Sequence, residues 1–189
     1  MKKYLRQNLW VILLIITLVS CGKDDKVLPF DKNLALGDYS GTCTVNYGKE
    51  TAVIEDYPAE FMMNSLDRSS LSATLGADSF RDKDGLGKVG NVILSNFLND
   101  RGYANFRMTG IEVEYSNSII IPEVISNQVS SFDIKRAVLT LTCENGGQFD
   151  PNRQEISFVY KGRLEITGTQ SNQQFANSVI YSFVLKKNK

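Results

Sequence analysis

Apolar and polar residues alternate with a period of two along most of this chain, and that pattern commits it to strands with one dry face and one wet face. The longest example runs from residue 155 to 167, where Ile156, Phe158, Tyr160, Gly162, Leu164 and Ile166 alternate with Glu155, Ser157, Lys161, Arg163, Glu165 and Thr167. Only Val159 interrupts the polar side. Successive side chains of a strand point to opposite faces, so the period predicts a long half-buried strand. Gly162 at its centre predicts a bulge or a sharp bend, as where a strand curls round a barrel or passes between two sheets.

The same signature recurs along the chain. Tyr39, Gly41, Cys43, Val45 and Tyr47 share one side of an opening strand, with Ser, Thr and Asn opposite. Ile111, Val113 and Tyr115 alternate with Glu112 and Glu114, and Ser116-Asn117-Ser118 predicts a hairpin into Ile119-Ile120-Ile121-Pro122. Ala137, Leu139, Leu141 and Cys143 face inward from a strand that Glu144-Asn145-Gly146-Gly147 ends. A closing strand over 178–186 places Val179, Tyr181, Phe183 and Leu185 together. Weaker strands are predicted near 50–55, 60–66, 71–75, 91–98, 103–108 and 124–131, the second of which reads equally well as a short helix. Residues 76–90 and 143–154 read as long loops. With no fixed-period repeat and no helix–strand alternation, the expected fold class is all-β. One antiparallel up-and-down β-barrel of about eight strands is favoured, with a β-sandwich as the alternative.

The N-terminus carries a different signal. A basic start, Met1-Lys2-Lys3-Tyr4-Leu5-Arg6, precedes the 11-residue run over 9–19. That run is too short to cross a hydrocarbon layer of about 30 Å as a helix and has the form of a secretion signal. Leu18-Val19-Ser20-Cys21 resembles the lipobox of bacterial lipoproteins. The resemblance implies diacylglycerol on the Cys21 sulfur, cleavage before Cys21 and acylation of the new amine, so that the membrane is the first partner. The expected organisation is a signal peptide over 1–20, a lipidated flexible tether over 21–36 and a barrel domain over 37–189. Lys23-Asp24-Asp25 resembles the export signal of surface lipoproteins in the Bacteroidetes. That resemblance implies an outer-membrane lipoprotein exposed at the cell surface, with a periplasm-facing orientation as the alternative.

A second resemblance concerns residues 36–187. Gly37-Asp38-Tyr39-Ser40-Gly41-Thr42, the segment Ser118-Ile119-Ile120-Ile121-Pro122 and the aromatic closing strand resemble lipocalin-like, or calycin-like, lipoproteins of the Bacteroidetes. This implies an up-and-down barrel of about eight strands. Tyr39 stands where lipocalins usually carry Trp in the first-strand motif, which departs from the pattern of their small-molecule carriers.

Several chemistries are excluded by residue type. There is no histidine, which removes His-based general bases, Ser–His and Cys–His pairs and most zinc, copper and haem sites. Asp82, Asp84 and Gly85 match part of a calcium loop, yet Phe80 and Asn91 occupy its first and last ligand positions, so a solvated turn is expected. Gly87-Lys88 lacks the first glycine and the hydroxyl of a phosphate-binding loop. Carboxylate pairs such as Glu55 with Asp56, or Glu112 with Glu114, could in principle flank a glycosidic bond, but Glu112 and Glu114 share the polar strand face, where surface solubility accounts for them. No catalytic residue, metal site or cofactor is expected. Loss of Lys2, Lys3 and Arg6 with the leader leaves 18 basic against 21 acidic residues, net −3. Nothing in that balance attracts nucleic acid.

Cys43 and Cys143 enter an oxidising compartment and either pair or remain as buried thiols. A bridge would close a long loop, worth about 4 to 5 kcal/mol in the loop-entropy model. Two functional classes follow. One is a non-catalytic binding module for a small apolar molecule or glycan, in which small inward residues Gly41, Ala137 and Gly162 leave room and Tyr39, Tyr47, Tyr115 and Tyr160 form the walls. The other is an interaction subunit with a filled core that meets another envelope protein.

Overall fold

The computed structural model describes residues 30–48, 54–81, 87–115 and 128–189. The expected signal peptide over 1–20, Cys21 and the Ile119-Ile120-Ile121-Pro122 segment lie outside them.

Ten strands follow in order: β1 (Gly37–Tyr47), β2 (Ile54–Ser65), β3 (Leu71–Arg81), β4 (Gly87–Asp100), β5 (Tyr103–Met108), β6 (Ile111–Tyr115), β7 (Ile134–Thr142), β8 (Gly147–Asp150), β9 (Glu155–Gly168) and β10 (Gln174–Lys187). All pairings are antiparallel. The sheet runs β10-β1-β2-β3-β4-β5-β8-β9, and β9 returns to β10, closing a barrel-like ring of eight strands. The all-β, up-and-down expectation is therefore met. Closure matters physically because it removes the exposed backbone edges that an open sheet would leave.

Two of the ring's positions are broken strands. The first half of β9 pairs with β8 through Glu155–Phe158, and the second half pairs with β7 through Lys161–Gly168. Between these blocks the four residues Cys143–Gly146 lie opposite only Val159 and Tyr160. The surplus makes a tight turn whose Gly146 has φ +68°, and a Cβ there would stand 2.0 Å from the Phe106 carbonyl oxygen. Only glycine fits such a place. β5 and β6 are likewise successive halves of one path, β5 pairing with β8 and β6 with β7.

The alternation put the core where the sequence places it. Tyr39, Cys43, Val45, Tyr47, Phe158, Tyr160, Leu164, Ile166, Val179, Tyr181, Phe183 and Leu185 are all buried. Residues 60–65 resolve as the end of β2, not a helix, and Leu66 follows directly after it. Three expectations are corrected. Residues 128–131 form a helical turn instead of a strand, closed by Phe132 N donating to Val129 O at 2.9 Å, which drives Val129 into the core. Asp78–Arg81 belongs to β3 rather than to a solvated turn, because Phe80 is buried. The expected loop over 143–154 contains β8, which a four-residue segment headed by glycine does not announce.

The ring has two different ends. At one, the residues before β1 fold back: Asp31 caps a 3-10 turn, Lys32–Ala35, through Asn33 N, and Ala35 is fully buried. Phe30 stacks on Phe97 at 6.1 Å and meets the edge of Phe149 at 5.8 Å. The expected flexible tether to residue 36 is thus shorter than its polar composition suggests, because Phe30 and Ala35 supply an apolar side that plugs the ring. Phe97 reaches the plug from a β4 bulge where Asn96 takes φ +55° and the pairing with β5 shifts register. At the opposite end, the connections containing residues 49–53, 82–86 and 116–127 leave the strands.

Candidate functional site

The four tyrosines singled out by the sequence are all buried, but they do not converge on one place. Tyr39 lies at the plugged end, with its ring edge-on to Phe61 and Phe149 at 6.4 Å each. Its hydroxyl donates to Ala35 O at 2.6 Å. Tyr160 lies mid-barrel and donates to Thr109 O at 2.7 Å. Burial raises both phenol pKa values well above the ordinary 10.0. Each hydroxyl is spent on the protein's own backbone, so neither presents a free polar tip to a ligand.

Tyr47 and Tyr115 belong elsewhere. They surround Tyr181, which the alternation placed inward without marking it as a site residue. Burial pushes the Tyr181 pKa well up, helped by a hydrogen bond with Tyr47 and by the nearby Tyr115 and Cys43. Phe80 closes one side, its ring 5.1 Å from that of Tyr181. Proximity across β1, β6 and β10 makes this cluster, and no local spacing reveals it.

Both remaining cysteines are free and buried. The Cys43 thiol is pushed up to about 12, chiefly by burial. It touches Ser79 Oγ, a contact that pulls the thiol down slightly but falls short of hydrogen-bond geometry. Cys143 donates to Gly146 O at 3.2 Å and lies 4.0 Å from Met108 Sδ, and burial raises its pKa too. The two behave as small hydrophobes, Cys43 on β1 and Cys143 just after β7, with no disulfide between them. Raised pKa values keep both as unreactive thiols at neutral pH.

Nor do the small inward residues open a chamber. A Cβ on Gly162 would stand 1.8 Å from Thr140 O, and one on Gly41 2.2 Å from Val184 O. Neighbouring backbone already occupies the space. Gly162 keeps continuous pairing with Leu141 and Val179, so the expected bulge is not there, and its missing Cβ admits the close approach of β7.

Among the described residues one groove lies on the outer wall. It measures ≈ 230 Å³ and lies where β9 and β10 approach their turn, lined by Arg163, Glu165, Thr167, Gln174, Phe175 and Ala176, with Ile166 at its base. Arg163 Nε sits 2.9 Å from Glu165 Oε1, so the two charges largely answer each other. Next to it, Arg136 holds Glu114 through two bonds of 2.7 and 3.1 Å, which keeps the Glu114 carboxyl below its ordinary value. Glu114 is thus an ion-pair partner of Arg136. Among the described residues no three His, Cys, Asp or Glu side chains are grouped to hold a metal ion.

No family model and no curated protein matches this chain.

The turn beside the groove is pinned from within. Gln173 is buried; its Nε2 donates to Ser131 O at 3.0 Å and its Oε1 accepts from Gln170 N at 3.3 Å. Thr169 adds two bonds to Asp133, from its N at 2.8 Å and its Oγ1 at 3.1 Å. The turn therefore holds the Val129–Phe132 segment over the ring. Sequence reasoning missed Gln173, because a glutamine in a polar turn looks like any solvated residue.

Proposed function

We propose that this chain is a lipid-tethered, non-catalytic recognition module of the bacterial cell envelope that meets its partner with its outer wall and loop end. The observation that carries the reading is the use made of the interior. Phe61, Phe149, Phe158 and Phe183 fill the ring together with Tyr39 and Tyr160, and those two phenols bond internally. A wall so completed leaves recognition to the surface. An envelope protein or a glycan fits the mixed polar groove at Arg163, Glu165 and Gln174.

Anchorage through acylated Cys21 and placement in the outer membrane, facing outward, belong to the same proposal, as does kinship with lipocalin-like lipoproteins. They rest on the residues of the leader, on Lys23-Asp24-Asp25 and on the eight-stranded ring. A second reading keeps a small apolar ligand at the Tyr47, Tyr115 and Tyr181 cluster, where three phenols approach one another under the loop end.

Titration of the chain from Cys21 onward with N-phenyl-1-naphthylamine separates the two. The first reading expects no saturable fluorescence gain. A stoichiometric, saturable gain abolished by Tyr181→Ala would move recognition into the barrel.

A further inference from the structure

The plugged end and the loop end differ in what they show to solvent. Three described turns stand at the plugged end: Leu66–Ser70 joins β2 to β3, Arg101–Gly102 joins β4 to β5, and Pro151–Gln154 joins β8 to β9. Each carries an arginine, Arg68, Arg101 or Arg153. The side chains of Arg101 and Arg153 are 93% and 72% exposed. Two of the neighbouring acids are engaged by the backbone of their own turns. Asp67 Oδ1 accepts from Ser69 N at 2.6 Å and Ser70 N at 2.7 Å, and Asp150 Oδ1 accepts from Asn152 N at 2.8 Å and Arg153 N at 3.1 Å. Asp150 is buried, whereas Asp31, Asp38, Asp67 and Asp100 are exposed, Asp100 pairing loosely with Arg101 at 3.9 Å.

Large apolar side chains are exposed at the same end. Leu34 in the plug, Leu66 after β2, Leu98 near the end of β4 and Tyr103 at the start of β5 are 49%, 53%, 67% and 37% exposed. Leu98 opposes Asn105 and Asp100 opposes Tyr103, so Leu98 and Tyr103 are diagonal neighbours. Within the described residues, the β9–β10 turn at the opposite end offers a contrast: its Thr169, Gln170, Ser171 and Asn172 carry neither charge nor bulk.

The chain leaves the described structure at Phe30, on this plugged end. Between it and Cys21 stand the eight residues Gly22–Pro29, which reach at most about 30 Å when fully extended. We propose that the plugged end is a seat for an anionic lipid surface, with the arginines on the headgroups and Leu34, Leu66, Leu98 and Tyr103 entering the interface. The loop end then faces away from the membrane. Arginine suits this position because its aliphatic stem covers apolar surface while its charge stays among phosphates. Each basic side chain near such a surface contributes about a five-fold gain in partition. The short leash adds a high local concentration, so weak individual contacts suffice.

This inference rests on lipid attachment at Cys21, and the test separates the two. Trp10 is the sole tryptophan and precedes Cys21, so an indole introduced into the chain from Cys21 onward reports alone. Leu98→Trp, Leu66→Trp and Gln170→Trp proteins are coupled through Cys21 to a maleimide lipid in equimolar phosphatidylcholine–phosphatidylglycerol vesicles carrying brominated chains. The buried Cys43 and Cys143 leave Cys21 as the reactive thiol. Quenching at positions 98 and 66 but not at 170 is expected. The uncoupled R68Q/R101Q/R153Q protein should also bind the same vesicles roughly five-fold more weakly per arginine removed. Equal quenching at all three positions, or none at 98 and 66, overturns the seat. So does vesicle binding that the three arginine changes leave untouched, or an end that pairs only with protein. Mass analysis of the cellular protein reads Cys21 separately: absent acyl chains would sink the lipoprotein reading without altering the quenching result.

Discussion

The two ends of the ring are closed by different physics. At the plugged end the closure is aromatic: Phe30, Phe97, Phe149 and Tyr39 form a continuous set of ring contacts, and Lys32 Nζ donates to the Asp67 and Ser70 carbonyls of the adjoining turn. Lys187 Nζ adds a bond to Leu34 O at 3.0 Å. Among the described residues of the loop end, Gln173 and Thr169 hold the segment that carries Val129 through polar bonds. Apolar burial tolerates small displacements without losing its energy, whereas hydrogen bonds lose theirs over a fraction of an ångström. The aromatic end should therefore dominate stability, and the polar end should open first.

The largest expected effect tests that ranking directly. Phe149→Ala removes a fully buried ring that Phe30 and Tyr39 both touch, and should cost about 3 to 5 kcal/mol in urea unfolding. A loss near 1 kcal/mol would show that the plug is not the stronger closure. Next, Tyr39→Phe leaves the buried Ala35 carbonyl without its donor, a change expected to cost about 1 to 3 kcal/mol. Hydrogen exchange should show residues 30–36 released while β9 and β10 stay protected. Simultaneous loss throughout would make the two ends one cooperative unit.

The pH response involves both ends. An unfolded thiol ionises near 9.0, whereas folded Cys43 is pushed up to about 12. Between those values the native state holds a proton that the unfolded chain releases, so stability is intact below about pH 9 and falls as pH rises through the window. Cys143, Tyr39, Tyr160 and Tyr181 shift in the same direction and act with the same sign. Each fully ionised group contributes a slope of about 1.4 kcal/mol per pH unit. Urea unfolding in an alkaline series should show that decline, and Cys43→Ala should flatten its first part. A flat profile in the unaltered protein would contradict the burial of these groups.

The smallest expected change is at the loop end. Gln173→Ala removes the bond to Ser131 O and should lower global stability by only about 1 kcal/mol. Limited proteolysis near 128–133 should nevertheless accelerate several-fold. If the global loss matched that of Phe149→Ala, the contrast between the ends would be wrong.

Much of the wall was legible in the sequence, since alternation at Tyr39–Tyr47, Ala137–Leu141 and Glu155–Thr167 is a local property that burial enforces residue by residue. The plug was not legible, because Phe30 and Ala35 sit in a polar stretch and gain their role only from Phe97 and Phe149, far along the chain. β8 was hidden for the same reason: Gly147 and Asp150 carry no strand signal, and the segment pairs because β5 and the first half of β9 stand on either side. The tyrosines illustrate both limits. Their inward direction followed from period two, but which of them meet did not, and Tyr181 joins Tyr47 and Tyr115 only through ring closure.

By itself, the sequence determined an all-β chain with one apolar face and the identity of most core residues, because both depend on spacing within a few residues. Tertiary structure alone decided that the ring closes through β9 and β10, that Cys43 and Cys143 stay apart and that one end is plugged while the other is pinned by a glutamine. Those outcomes depend on which distant strands become neighbours, and a period of two fixes the face of a side chain but not what stands across from it.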